Sequence, residues 1–444
     1  MSNPHDDPDE SRLDLGHEPT LRPADTNTPP SADLAGWLVA GIVFINEASF
    51  RNPDAEHFSL DYQILLRLAV CGCCGLYALK YWKTAWAVLD RFPSAWLLLF
   101  GAWGVATVPF AANVPYAAAS CASMWCILLF APVALIHLGP KRFFMSVFGS
   151  LAAFAVICWY FYFAVPDGKT EFIMPDGEIV YRLGGLTHAN NLGRQMALMI
   201  IAGLALGSGK LVPWRKLTGG LILALVTLYF TNSRTSIIAA AVAALLTGLH
   251  AYMARGARER QLVYSVFGMG AIGAAALAVA AVFLIGSHAD SVLGDTALRA
   301  FSRSGESAEL YSFTGRTEIW QYAIDRIAES PIVGYGFGCS RFVMCDFEAL
   351  PLNHAHNLLL NVMINMGVPG GILLLLTCLA QIRAAVFRPS AFPDMMIVMI
   401  LFSSFSDVPV YSAIADGATL IWFSSIVWRP VCDQLASQSR EVAE

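Results

Sequence analysis

The most chemically suggestive run of the sequence starts at His356-Asn357 and continues through an apolar stretch that carries Gly367 and Gly370. Imidazole has an ordinary pKa near neutral pH, so it is well suited to take a proton from a hydroxyl group. The apolar stretch predicts a membrane helix. His356 would then lie at the mouth of that helix, where a substrate that is half lipid and half polar would be held.

A second polar segment leads into another apolar run and contains Arg182, His188, Asn190 and Arg194. Arg194 falls about one turn inside the predicted membrane helix, where a cation is costly unless it is paired or faces a wet cavity. The alternative is an arginine that extends its head group to the helix end. The unusually polar, glycine-rich flank favours the functional interpretation.

Two further arginines lie in polar steps. Arg234 belongs to the tight hinge 231–236, where it could equally be an interfacial anchor. Arg316 follows Thr314 in the first turn of a predicted helix that ends before Pro331. A cation in the first turn opposes the helix dipole and suggests an anionic partner, although Glu318 could supply that charge.

The predicted loop helix has an apolar face made of Trp320, Ala323, Ile324 and Ile327, so we expect it to lie on the membrane bundle. The glycine-rich segment 334–338 follows. It neither succeeds a strand nor contains the Gly-Lys-Thr of a phosphate-binding loop, and its residues alone predict a turn.

The pair His354 and His356 raises the question of a metal site. The neighbouring carboxylates, Asp346 and Glu348, lack a spacing typical of zinc ligands, so we predict no metal and no cofactor. The ten cysteines do not form a zinc pattern either. Two of them, Cys339 and Cys345, share a long polar loop and could pair if that loop is extracytoplasmic.

Composition indicates an all-α, polytopic integral membrane protein. The chain has 444 residues, of which 56% are hydrophobic and 14% charged, and its mean hydropathy is +0.56. Soluble proteins carry about 25% charged residues. The apolar runs do not alternate with polar residues as the strands of an outer-membrane barrel would. The net charge of −5 says little about partners, and nothing suggests binding of nucleic acid.

About twelve apolar spans are predicted. They run near 34–50, 62–80, 94–110, 114–138, 143–165, 190–208, 217–231, 235–253, 263–286, 356–381, 392–408 and 413–429. Lysine and arginine concentrate in one alternating set of short loops, which places that set and both chain ends in the cytoplasm. The chain then divides as follows: an acidic, disordered cytoplasmic tail at 1–33, nine spans at 34–286, a large periplasmic loop at 287–355, three spans at 356–429 and a cytoplasmic tail at 430–444.

The candidate residues share a chemistry because they gather on the outer side, near the ends of membrane helices. Guanidinium groups match phosphate oxygens in two-point contacts, and a phosphate attached to a lipid would lie at this depth. Lipid pyrophosphates can act as leaving groups where nucleotide sugars are absent. The imidazole would take a proton from a sugar hydroxyl, while the arginines would stabilise charge on the departing pyrophosphate.

These motifs resemble the bacterial O-antigen ligase and polysaccharide polymerase superfamily. Its pattern of His, an amide or hydroxyl residue, nine residues, Gly, two residues and Gly is met by His356, Asn357, Gly367 and Gly370. Its Arg-x-x-x-Leu pattern is met by Arg194 and Leu198. The steps at 233–235 and 314–316 and the segment 334–338 are also typical, and the last of these weakens the interpretation as a turn alone.

The resemblance implies an undecaprenyl-pyrophosphate-linked glycan donor and metal-independent, inverting transfer on the periplasmic side of the bacterial inner membrane. The acceptor would be lipid A–core for a ligase or a growing polysaccharide for a polymerase, and the motifs do not separate these. By resemblance His356 is the base, and Arg194, Arg234 and Arg316 bind pyrophosphate. Weaker candidates for substrate contact are Arg182, His188, Asn190 and Asn357. A flippase or transporter of a lipid-linked glycan is a further alternative.

Overall fold

The computed structural model describes residues 31–48, 62–165, 169–173, 179–253, 316–345, 352–404, 407–411 and 414–441. Helices dominate this part of the chain, and one hairpin joins them. The helices are α1 Ser31–Ile45, α2 Tyr62–Lys80, α3 Trp82–Leu89, α4 Ser94–Thr107, α5 Val114–Ala164, α6 Ala189–Ser208, α7 Trp214–Thr231, α8 Arg234–Met253, α9 Arg316–Glu329, α10 Ser340–Met344, α11 Leu358–Phe387, α12 Ala391–Ser404 and α13 Gly417–Glu441. The strands are β1 Lys169–Ile173 and β2 Ile179–Leu183.

Helices overlap each predicted span that falls within the described residues. Two of those spans are merged in α5, whose halves meet at a break at Gly139, where φ is +64°. The predicted ninth span at 263–286, about half of the loop at 287–355 and residues 1–30 of the predicted tail lie outside the described residues. The total of twelve spans therefore remains a prediction.

Length and apolar composition identify membrane-crossing helices among the described residues. Three helices, α2, α5 and α11, meet both criteria. A fourth span is possible if α3 and the helix that follows it, Ser94–Phe110, are one segment bent by 111°. The described part of the protein is thus a helical membrane fold, as its composition predicts.

One small sheet departs from the all-α prediction. Strands β1 and β2 pair antiparallel, with Thr170 opposite Arg182. Tyr181 is exposed and Arg182 buried, as expected for neighbouring residues on opposite faces of a strand. The Arg182 guanidinium donates from Nε to the carbonyl of Thr231 at 2.8 Å and from Nη2 to Oδ1 of Asn190 at 2.6 Å. These bonds tie the hairpin to the end of α7 and the start of α6.

The apolar core is built around α5, which packs against α1, α2, α6 and α13. Its fully buried aromatic side chains include Phe130, Phe143 and Trp422. At the start of α12 a buried ion pair joins Asp394 to Arg429 of α13 at 2.6 Å. Neither group is more than 6% exposed, so each depends on the other for charge compensation.

Helix α11 is interrupted at Gly367, where φ is +66°, and the glycine-rich segment 334–338 docks on the interruption. Amide groups of this segment supply hydrogen bonds that the broken helix cannot make. The N–H of Tyr335 donates to the carbonyl of Ile364 at 2.8 Å, and the N–H of Gly336 donates to that of Asn365 at 2.9 Å. The predicted turn is therefore also the element that fixes the large loop on α11.

Helix α9 lies on α11 as predicted, but through a different stripe of residues. The buried positions are Ile319, Ala323 and Ile327, which cluster with Ile364 of α11. Ile324 is 48% exposed, so its assignment to the buried face is wrong. The three buried residues are spaced four apart. Residues four apart lie on one face of a helix, so this stripe fits helical geometry as well as the predicted one does.

Replacing Gly367 by Ala should destabilise the protein. The new Cβ would lie 2.1 Å from the carbonyl oxygen of Ile332, and the left-handed backbone alone costs roughly 1–2 kcal/mol for a residue with a side chain. We expect a clearly lower thermal unfolding midpoint in detergent. Gly149→Ala is the matched control, because no atom lies within 4 Å of the added Cβ. Equal midpoints for the two variants would contradict this account of the break.

Candidate active site

Four separate segments of the chain enclose a cavity of about 250 Å³ at one end of the helices. We call it the cationic cavity because two arginines line it. The segments come from α6, from the docked loop with α10, from the stretch that enters α11, and from the stretch that follows α12. Its lining includes Asn191, Arg194, Ser340, Arg341, His354, Asn361, Asp407 and Tyr411.

Asp407 is the junction of the cationic cavity. Its Oδ2 lies 3.5 Å from Nη1 of Arg194, and its Oδ1 lies 3.2 Å from Nε2 of His354. The backbone N–H of Val408 also donates to Oδ1, at 2.8 Å. Burial acts to raise the pKa of Asp407, but the His354 hydrogen bond and the Arg194 charge outweigh it and hold that pKa below its ordinary value. Asp407 is therefore an anion at neutral pH.

Two imidazoles lie side by side at this junction. The ring centroids of His354 and His356 are 4.2 Å apart. His356 adopts a left-handed backbone conformation with φ of +49°, which is uncommon for a residue other than glycine and is typical of strained functional sites. One ligand atom from each of His354, His356 and Asp407 falls within 4.8 Å of the others, so these three residues could hold a metal ion.

Arg194 is 7% exposed and reaches the cavity from the second turn of α6. Its Nη1 also donates to the carbonyl of Val408 at 3.3 Å, whereas its Nε has no hydrogen-bond partner among the described residues. The next residue, Gln195, donates to the buried carboxylate of Glu47 at 2.8 Å. Sequence reasoning missed Glu47 because it lies within an apolar run.

Arg341 is a second cavity arginine that sequence reasoning missed. It comes from α10, whose first N–H, that of Ser340, donates to Oδ1 of Asn365 at 2.6 Å. The Arg341 guanidinium donates from Nη1 to the hydroxyl of Tyr116 at 2.9 Å and lies over its ring. Only the docking of the glycine-rich segment on α11, which is a tertiary contact, brings this arginine to the cavity.

Several predicted contact residues make structural hydrogen bonds, and their substrate contacts stay a prediction. Asn357 caps α11, since its Oδ1 accepts from the N–H of Leu360 at 3.1 Å. Asn190 accepts the hydrogen bond from Arg182 that ties the hairpin to α6, and neither residue is in the described cavity lining. His188 caps α6, with Nδ1 accepting from the N–H of Asn190 at 3.3 Å, but it lies within electrostatic reach of Asp407. His188 is therefore the residue of this group that has a described electrostatic interaction with Asp407.

Of the other two predicted pyrophosphate ligands, Arg234 is not among the described residues that line the cavity. Arg234 begins α8, immediately after Ser233. A Cβ on Gly193 would lie 2.6 Å from Cβ of Ser233, so the hinge packs closely against α6 one residue before Arg194. Arg316 begins α9, and the position of its side chain lies outside the described residues. The structure thus brings Arg194 and His356 together, with Arg234 nearby in the fold.

The two loop cysteines do not form a disulfide. Cys339 and Cys345 are both free thiols, and Cys339 is buried. Its thiol lies 3.6 Å from the carbonyl oxygen of Asn113, at the start of α5. The pairing that the loop allowed is therefore not made.

The described residues thus form a helical membrane protein in which arginine and histidine side chains lie together at one end of the helices. Residues 219–375 match the family described as O-Antigen ligase. The chain is also 26% identical over 305 residues to the exopolysaccharide production protein ExoQ of Rhizobium meliloti (strain 1021), an alignment that covers 62% of this chain and 64% of ExoQ. The chain thus spans somewhat less than two thirds of that relative.

These similarities support the O-antigen ligase-related superfamily, the resemblance drawn from the motifs. The matched segment holds Arg341, His354 and His356, whereas Arg194 and Asp407 lie outside it. The structure places Arg194, Arg341, His354 and Asp407 in the lining of one cavity and His356 beside His354 and Asp407.

Replacing Asp407 by Asn should destabilise the protein by on the order of 3 kcal/mol, because it leaves the Arg194 charge buried without its partner. Asp433→Asn is the control, since it breaks the exposed pair with Arg388, for which a loss of about 0–1 kcal/mol is expected. Chemical unfolding in detergent measures both. A loss for Asp407→Asn no larger than that for Asp433→Asn would show that Arg194 does not depend on Asp407.

Proposed function

We propose that this protein is a membrane glycosyltransferase that moves a glycan from an undecaprenyl-pyrophosphate carrier to an acceptor hydroxyl. The observation that carries the proposal is that Arg194 and His354 meet at Asp407 in the cavity lining, with His356 beside His354 and Asp407. An anion-binding group and a proton acceptor are the two functions such a transfer needs on the enzyme.

The proposed donor fits the charge and position of the cavity. Arg194 and Arg341 offer guanidinium groups to the two phosphoryl groups of a pyrophosphate. The buried Nε of Arg194 is a donor without a described partner, which an incoming phosphate oxygen would satisfy. The apolar helices around the cavity would hold the polyprenyl tail. Arg234 and Arg316 stay candidate pyrophosphate ligands.

The proposed reaction is a direct displacement at the anomeric carbon. The acceptor oxygen forms a bond to that carbon while the bond to the pyrophosphate oxygen breaks, which inverts the configuration. The acceptor proton passes to the imidazole of His356, and the electron pair of the broken bond leaves on undecaprenyl pyrophosphate. Guanidinium groups stabilise the negative charge that grows on the leaving group. These residues perform the reaction without a metal ion.

Asp407 gives the site a way to couple donor binding to base strength. Without donor, its two oxygens are shared between Arg194 and His354. A pyrophosphate that engages Arg194 would compete with Asp407 for the guanidinium. The carboxylate would then face the neighbouring imidazoles alone and stabilise the positive charge that His356 gains when it accepts the proton. Asp407 is in this scheme a positioning residue, because it acts through the histidines.

We propose a growing polysaccharide as the acceptor, which makes the protein a polymerase. The support is the relative ExoQ, whose name describes exopolysaccharide production. Transfer to lipid A–core is the second candidate, and the family match to O-antigen ligase favours it. Both acceptors would be reached from the periplasmic face of the bacterial inner membrane. A flippase is less well supported, because Arg194 and the histidines cluster at one end of the helices rather than along a path through them.

Replacing His356 by Ala should abolish glycan transfer while the donor still binds, because the proton acceptor is lost and the arginines remain. The assay uses purified protein in nanodiscs with an undecaprenyl-pyrophosphate-linked oligosaccharide. His137→Ala is the control, since this histidine contacts Tyr77 within the bundle, with Nδ1 2.7 Å from its hydroxyl. Wild-type transfer by His356→Ala, together with loss of transfer in His354→Ala, would move the role of base to His354.

The product pattern separates the two acceptors. With only the lipid-linked repeat unit supplied, a polymerase lengthens the glycan on its carrier, and we expect a ladder of longer products by gel analysis. A ligase would leave the repeat unit unchanged until lipid A–core is added. Cells lacking the protein should correspondingly accumulate single repeat units. Accumulation of full-length carrier-linked polymer would instead show that lipid A–core is the acceptor.

A further inference from the structure

We propose that His354, His356 and Asp407 form a binding site for a divalent transition-metal ion, best suited to Zn²⁺, and that the bound ion inhibits glycan transfer. The two imidazoles and the carboxylate place their ligand atoms within 4.8 Å of one another. Zinc commonly takes imidazole nitrogen and carboxylate oxygen in tetrahedral sites with a fourth position open. The cationic cavity, which His354 and Asp407 line, would supply water at that position.

The spacing already suits the ion. Nε2 of His354 and Oδ1 of Asp407 are 3.2 Å apart. Two ligands bound to zinc at about 2.0–2.1 Å in a tetrahedron lie about 3.3 Å apart. A metal ion could therefore replace the proton shared by these two atoms with little movement of either. The left-handed backbone of His356 brings the second imidazole beside the first.

The local charge also tolerates a second cation. Arg194 faces Oδ2 of Asp407, which leaves Oδ1 directed at His354. Besides Asp407, the carboxylates of Glu47 and Asp416 lie within electrostatic reach of Arg194. The Arg194 charge is therefore largely offset, which leaves Arg341 as the second arginine of the cavity that a metal ion would face. The side chains of His354 and Asp407 are 31% and 23% exposed, so the site is open to ions from solvent.

Sequence reasoning rejected a metal here because it looked for a carboxylate near the histidines, at Asp346 and Glu348. The structure supplies one from the segment after α12 instead. The inhibitory effect rests on the proposed function, because a metal ion would occupy the imidazole lone pair that must accept the acceptor proton. The binding site itself does not depend on that function.

Binding is tested without turnover by adding Co²⁺ to the full chain purified in detergent. We expect a visible absorption band of tetrahedral intensity that Zn²⁺ abolishes. His354→Gln, which keeps a donor towards Asp407, and His356→Ala should each weaken Zn²⁺ binding at least tenfold by calorimetry. His137→Ala should bind like the wild type. Metal held by cysteines would appear equally in all four proteins, so equal binding in all of them would overturn the site.

Inhibition is tested separately in the transfer assay. Micromolar Zn²⁺ should suppress transfer by the wild-type protein, and a chelator should restore it. Undiminished transfer at a Zn²⁺ concentration that saturates the calorimetric site would overturn the inhibitory role. A protein that binds Zn²⁺ at this site yet transfers no glycan under any condition would instead count against the proposed function and leave the metal site standing.

Discussion

The contact on which the site depends is the shared carboxylate of Asp407, which joins Arg194 of α6 to His354 before α11. An arginine this deeply buried is costly without a counter-charge. Once paired, it fixes the segment after α12 against two other parts of the chain. The same carboxylate orients an imidazole, so one side chain serves both stability and chemistry. We expect removal of this charge to loosen the contacts that shape the cavity.

The second constraint is the break in α11 at Gly367. A continuous helix would satisfy its own carbonyl groups, whereas this one leaves those of Ile364 and Asn365 to the amides of the docked loop. The loop is held by backbone hydrogen bonds that any sequence of the right conformation could make. Arg341 follows directly and is thereby placed on the cavity wall. Gly367 thus both interrupts α11 and creates the place where segment 334–338 binds.

The helices could be predicted from the sequence more completely than the contacts between them. Apolar periodicity placed the helices, and the split within α5 at Gly139 matches two predicted spans. Arg194 and His356 were found because a cation or an imidazole beside an apolar run is conspicuous. Asp407 was missed because it ends a predicted span, where a single carboxylate looks like an ordinary helix boundary. Arg341 was missed because its position depends on a contact between distant segments. The capping role of Asn357 was overlooked, although asparagine before a helix is a common cap.

Helix α12 is fastened near both of its ends, by Asp394 with Arg429 at one and by Asp407 with Arg194 just beyond the other. A segment anchored twice by buried charges is poorly able to slide or tilt. The other side of the cavity is held differently, because α9 contacts α11 through apolar side chains and segment 334–338 contacts it through backbone hydrogen bonds. We therefore expect the side that carries α9 and segment 334–338 to move first if the cavity widens.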